Sequence, residues 1–292
     1  MKAFSDYNPI TVFVSLMSAA GVCMFSTDPV LLLLSLIGAA ALFFARHGFS
    51  AWRSCWWYAL IFLLSLILNP LLNHNGMTVL FVLNNNPITL EALCFGAAMG
   101  AMVVGVMWWF LSFSGIMSSD KLLYLFGAAS PRLALILSMT LRYVPLFRRQ
   151  AVKTNQAQKA LGLYKEDSIP DALRGGMRVF SVMVTWALEN GVITADSMTA
   201  RGYGVGRRSH FAIFRFRRAD GILVGVSLAL LALTLAGLGL NAVGWEFYPR
   251  LTPPDFTALS YLCYFAYGLL CLLPATLEIL EAIKWRSLRS AI

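Results

Sequence analysis

Six apolar runs punctuate the chain: Asn8–Phe25, Pro29–Ala45, Trp52–Leu72, Leu90–Ile116, Gly221–Gly244 and Phe256–Ile283. A helix rising about 1.5 Å per residue needs roughly 20 apolar residues to cross a hydrocarbon layer of ~30 Å, so each run predicts a membrane span. The first two are short and are joined by Ser26-Thr27-Asp28-Pro29, which stops one helix and starts the next. Between the third and fourth runs, Met77 to Leu83 has strand-like composition and leads into the turn cluster Asn84-Asn85-Asn86-Pro87. Pro274 lies inside the last run and predicts a kink there.

Residues 118–218 follow a different pattern, polar and helical, with interruptions expected at Pro131, Pro145, Pro170 and Gly175-Gly176. From Ser130 an apolar stretch, Leu133 to Met139, passes through Leu141-Arg142-Tyr143-Val144-Pro145-Leu146-Phe147 into a strongly polar segment ending at Gly162. A helix that begins apolar and ends polar is leaving the membrane. A second helix is expected from about Asp171, through Val179, Val182, Val184 and Trp186, to Ala200-Arg201-Gly202-Tyr203-Gly204, where Gly202 or Gly204 supplies the left-handed cap. The expected fold is all-α: a polytopic membrane protein of about six spans, with two long helices between spans four and five. Its segments are 1–117 (spans one to four), 118–218 (the polar helices) and 219–292 (spans five and six).

Composition agrees with this pattern and charge orients it. Of the 292 residues, 59% are hydrophobic and 13% charged, where soluble domains carry roughly 25% charged residues. A net charge of +9 would suggest a nucleic-acid partner in a soluble protein, but here the positions of the charges carry the information. Most of the 23 Lys and Arg residues lie between Lys121 and Arg218, so the positive-inside rule makes this segment cytoplasmic. Arg46, His47 and Arg53, and then Lys284, Arg286 and Arg289, belong on the same side. Residues 73–89 carry no Lys or Arg and 245–255 only Arg250, which makes these connections external. An even number of spans with both termini in the cytoplasm satisfies the whole pattern, in a cell membrane and with a retained first helix rather than a cleaved signal. The basic stretch Arg207, Arg208, Arg215, Arg217 and Arg218 then reads as a lipid-facing orientation anchor.

Candidate chemistry is sparse. The five cysteines show no CxxC spacing and read as packing residues, and His47, His74 and His210 lie in separate loops without metal-ligand spacing. No GxxxxGK[ST] is present, and Gly202-Tyr203-Gly204-Val205-Gly206 lacks the preceding strand of a phosphate loop. No catalytic residue, metal site or cofactor is expected. Glu189 and Asp196 stand seven apart on one helix face and are expected to pair with Arg142, Arg149 or Arg178, holding the two polar helices crossed. Glu278 and Glu281 are expected to pair locally with Lys284 or to snorkel. An autonomous secondary transporter or a membrane-embedded enzyme would place ionisable groups at mid-membrane depth, and a secondary transporter often carries an internal repeat; the span centres hold few such groups and the halves differ in kind.

The Leu141–Phe147 segment followed by Ala157-Gln158-Lys159-Ala160-Leu161-Gly162, and the helix ending Ser197-Met198-Thr199-Ala200-Arg201-Gly202, resemble the transmembrane T component (EcfT/CbiQ-like) of energy-coupling factor transporters. That family closes each of two cytoplasmic coupling helices with Ala-Arg-Gly. Ala200-Arg201-Gly202 matches in full; Ala160-Leu161-Gly162 matches in place, with leucine for arginine. The resemblance implies two cytoplasmic ABC ATPase subunits whose grooves receive these helix ends, Arg201 pairing with acidic ATPase residues, and a membrane S component that binds substrate. It implies a non-catalytic subunit of a vitamin or transition-metal importer, with specificity residing in another chain.

Overall fold

The computed structural model describes residues 4–48, 52–73, 76–83, 86–163, 169–206, 214–254 and 256–289. Lys165, Arg207, Arg208, His74, His210 and the turn residues Asn84 and Asn85 lie outside the described residues. After a short 3-10 turn, Phe4–Asp6, the chain forms α1 (Pro9–Phe25), α2 (Pro29–His47), α3 (Trp52–Leu72), strands β1 (Val79–Leu83) and β2 (Asn86–Thr89), α4 (Leu90–Ile116), α5 (Ser119–Ala129), α6 (Pro131–Ala160), α7 (Ile169–Ala200), α8 (Arg218–Gly239) and α9 (Ala258–Arg289). Among the described residues α2, α3, α4, α8 and α9 are long and apolar enough to cross a membrane, and α1 is a shorter apolar helix. The protein is an all-α polytopic membrane protein.

The chain divides into two compact units, Met1–Leu122 with Phe214–Ile292, and Leu123–Ile213. In the first unit, helix starts are fixed by local chemistry. The Asn8 side chain accepts from Ile10 N ahead of Pro9, and Asp28 Oδ1 accepts from Val30 N at 2.8 Å and Leu31 N at 3.2 Å ahead of Pro29. Such caps satisfy amides that have no partner inside the helix, and proline at the first position forfeits no bond. The second Asp28 oxygen accepts from Tyr264 of α9 at 2.9 Å, tying the α1–α2 turn to the last helix.

The core gathers side chains of α1, α2, α4, α8 and α9, among them Leu16, Leu31, Leu42, Trp109, Tyr267 and Leu270. Two buried polar groups of the core are matched: Trp109 Nε1 donates to Ser35 Oγ at 2.8 Å and Tyr267 OH to Ala19 O at 3.0 Å. In lipid such pairs matter because water cannot replace them. Gly38 lets α2 approach α9 so closely that a Cβ there would lie 2.6 Å from Cys271 Cβ, the small-residue contact by which membrane helices associate. Cys23, Cys263 and Cys271 are buried, and all five cysteines are free. The peripheral α3 packs on α4, and a cavity of about 920 Å³ lies beside it, lined by Leu32 and Leu36 of α2, Phe62 and Leu66 of α3, Ala101 of α4 and Trp245.

Within the Met77–Leu83 stretch, Val79–Leu83 forms β1, paired antiparallel with β2 through Val79–Thr89, Phe81–Ile88, Val82–Pro87 and Leu83–Asn86. Asn86 and Pro87, expected in the turn, therefore belong to the second strand. Leu240 to Gly244 leave the fifth apolar run: Asn241 takes a left-handed conformation (φ 51°), with Asn241 N donating to Leu238 O and Ala242 N to Gly237 O. That bonding pattern ends α8 at Gly239 although the sequence stays apolar. Among the described residues no ion pair joins Glu278 to Lys284; the Glu278 carboxylate instead faces Arg46 of α2 at 3.7 Å.

Candidate functional site: two matched helix ends

In the second unit, α6 and α7 run antiparallel. Tyr143 OH lies 2.6 Å from Thr194 Oγ1, the rings of Phe147 and Trp186 meet edge to face at 5.3 Å, and Arg178 Nη1 donates to Leu163 O at 3.2 Å. Pro145 and Gly175-Gly176, expected as interruptions, sit inside continuous helices, while Pro131 and Pro170 occupy the first turns of α6 and α7. Proline fits a first turn because its missing N–H costs no helical bond there.

Among the described residues no ion pair joins Glu189 or Asp196 to Arg142, Arg149 or Arg178. These side chains of Arg142, Arg149, Glu189 and Asp196 are exposed, where water solvates charges well enough that pairing gains little. The helices meet through aromatic and hydroxyl contacts instead, which sequence spacing alone did not reveal.

The two triplets occupy the same structural position. At the end of α6, Gly162 N donates to Lys159 O at 3.0 Å and Leu163 N to Gln158 O at 3.2 Å, with Gly162 at φ 68°. At the end of α7, Gly202 N donates to Thr199 O at 2.9 Å and Tyr203 N to Met198 O at 3.0 Å, with Gly202 at φ 77°. Both are complete Schellman caps, and the glycine is required because an L side chain at positive φ meets its own carbonyl. Ala160 and Ala200 close the last helical turns. Leu161 and Arg201 then fall on equivalent cap positions, and both side chains are exposed. Since contacts near the start of one helix meet the end of the other, the two caps lie at opposite ends of the antiparallel pair.

Each cap presents one outward side chain above the partial negative charge of a helix C-terminus. At Arg201 that side chain is a guanidinium able to take a carboxylate bidentately; at Leu161 it is an apolar knob. Along α7, Ile169, Leu173, Met177, Phe180, Leu188 and Val192 are exposed apolar residues along one broad side of the helix, and Val182 and Ile193 are exposed on the other. Among the described residues no group of three or more His, Cys, Asp or Glu side chains gathers as a metal site would require.

The chain is similar to two proteins named energy-coupling factor transporter transmembrane protein EcfT. It is 31% identical to that of Lacticaseibacillus paracasei over 105 residues, covering 35% of this chain and 40% of the relative. It is 33% identical to that of Listeria innocua over 102 residues, covering 34% and 38%. The chain thus spans about two fifths of the length of these relatives. The family model described as CbiQ, cobalt transport protein, matches residues 4–212, which takes in α1 to α7 and both capped triplets. This chain belongs to the CbiQ family of cobalt transport proteins.

Proposed function

We propose that this chain is the energy-coupling transmembrane subunit of an importer of the energy-coupling factor type. The observation that carries the reading is the pair of matched Schellman caps, which offer Leu161 and Arg201 to the surroundings at opposite ends of α6–α7. Two ends with one geometry suit two related partners, which in this reading are two cytoplasmic ABC ATPase subunits. Arg201 takes a carboxylate of one ATPase groove, and Leu161 takes an apolar contact in the other.

The exposed apolar stripe of α7 suits a membrane S component that binds substrate, a vitamin or a transition-metal ion. In this reading α6 and α7 are the coupling helices, with Arg142, Arg149, Glu189 and Asp196 on their solvated faces. In this reading both termini and the coupling helices lie in the cytoplasm of a multi-pass protein of the cell membrane, which the charge pattern supports. ATP-driven closure of the ATPases displaces the coupling helices, and the spans reorient the S component so that its site opens inward. The chain itself is non-catalytic, and hydrolysis belongs to its partners.

The test is affinity purification of the tagged protein in mild detergent, comparing wild type with Arg201→Glu and Leu161→Glu for co-purifying ATPases. Recovery with wild type and loss with Arg201→Glu supports the reading, since breaking a buried charge pair costs about 2–5 kcal/mol of binding. Absence of ATPases from the wild-type preparation overturns it.

A further inference from the structure

The chain leaves the spanning unit after Leu122 and re-enters it at Phe214. Within the spanning unit, both junctions are tied to one short stretch, residues 4–8. At the first junction, Lys121 Nζ donates to Ser5 O at 2.6 Å and to Ile116 O at 3.0 Å. At the second, the buried Asp220 carboxylate accepts from Asn8 N at 2.9 Å with one oxygen and from Arg217 N at 2.8 Å with the other. The stretch is itself held in place: Phe4 is fully buried, and its N–H donates to Glu278 Oε2 at 3.0 Å.

The same network closes the end of α4. The last carbonyls of a helix have no partner within it; here Arg46 Nη2 takes Gly115 O at 3.0 Å, Lys121 takes Ile116 O, and Arg46 also pairs with Glu278. Cations at a helix C-terminus are favoured by its dipole, and bonds to charged groups are the stronger ones. Lys121 is half-buried in the packed end of the unit, and this burial lowers its pKa, with the charge of Asp6 opposing the shift.

We propose that residues 4–8 form a clamp on both junctions, and that Lys121 and Asp220 are positioning residues for coupling. With the clamp intact, a displacement of residues 123–213 moves α4 and α8 as bodies. With it broken, the displacement is absorbed by bending at residues 117–122 and 214–220. This inference rests on the coupling reading above.

The experiment uses the full chain purified with its co-purifying ATPases in lipid nanodiscs. Amide hydrogen exchange of residues 240–254, beyond the far end of α8, is compared with and without ATP plus vanadate for wild type, Lys121→Met, Asp220→Asn and Lys121→Arg. In all four, ATPases co-purify and hydrolyse ATP at the wild-type rate. The nucleotide-dependent change is present in wild type and Lys121→Arg and is lost in Lys121→Met and Asp220→Asn. Retention of that change in both clamp variants overturns the proposal, as does its absence from wild type. Loss of bound ATPases from the variants alone also overturns it, because the residues would then serve assembly. Absence of ATPases from wild type instead removes the coupling reading, and the clamp with it.

Discussion

Gly162 and Gly202 show why a three-residue signature can be read from sequence at all. Each sits at positive φ in a cap whose two backbone bonds admit no other ordinary residue cheaply. Gly202→Val is expected to cost about 1–2 kcal/mol at that position, visible as faster amide exchange in the last turn of α7 while α6 keeps its protection. The cap at the end of α7 was legible because glycine follows Arg201 there. Glu278 was not: its partner Arg46 lies 232 residues away, and the nearer Lys284 offered a local pairing that the structure does not make. Tyr264 was equally silent, since nothing in its neighbourhood announces that its hydroxyl donates to Asp28 at the start of α2. Tyr264→Phe leaves a buried carboxylate oxygen without its donor, and a loss of about 1–3 kcal/mol in thermal or denaturant stability is expected.

At the scale of elements, hydrophobic pattern located every apolar helix, and two of them, Trp52–Leu72 and Leu90–Ile116, to the residue. Both have polar or turn-forming neighbours at each end. The end of α8 escaped the same reasoning because Leu240 to Gly244 remain apolar and Val243 is buried in the core; what stops the helix is Asn241 in a left-handed conformation, a backbone event that hydropathy does not register. The packing of α6 on α7 escaped it too, since ring contacts replaced the expected ion pairs. A double-mutant cycle on Phe147→Ala and Trp186→Ala is expected to give a coupling energy of about 0.5–1.5 kcal/mol, and a value near zero would show that this contact does not hold the pair. In the spanning unit, Gly38→Leu drives a side chain into the Cys271 backbone, where even a Cβ meets the carbonyl oxygen at 2.9 Å. Overpacking of this kind costs about 1–3 kcal/mol or more, and a lowered midpoint in a detergent-based thermal unfolding assay is the expected readout.

For the whole molecule, charge asymmetry bears on direction across the membrane, and it yields a sharp test. A membrane-impermeant thiol reagent applied to intact cells is expected to label Leu240→Cys above the wild-type background and to reach Leu163→Cys only after permeabilisation; the opposite pattern inverts the orientation. The division into two units was partly visible in sequence, because residues 118–218 differ so sharply in composition from their flanks, while the compact unit itself is Leu123–Ile213. The spanning unit also draws on something outside the polypeptide. Only 6% of the Cys55–Leu72 stretch of α3 is buried by protein, and the cavity beside it is almost wholly apolar at its walls. For that helix the acyl chains act as a structural component, supplying the dispersion contacts that a neighbouring helix would otherwise provide. The choice of solubilising agent therefore decides which protein is being studied, since short, poorly packing detergents will loosen α3 before any other span and long-chain lipid will restore it.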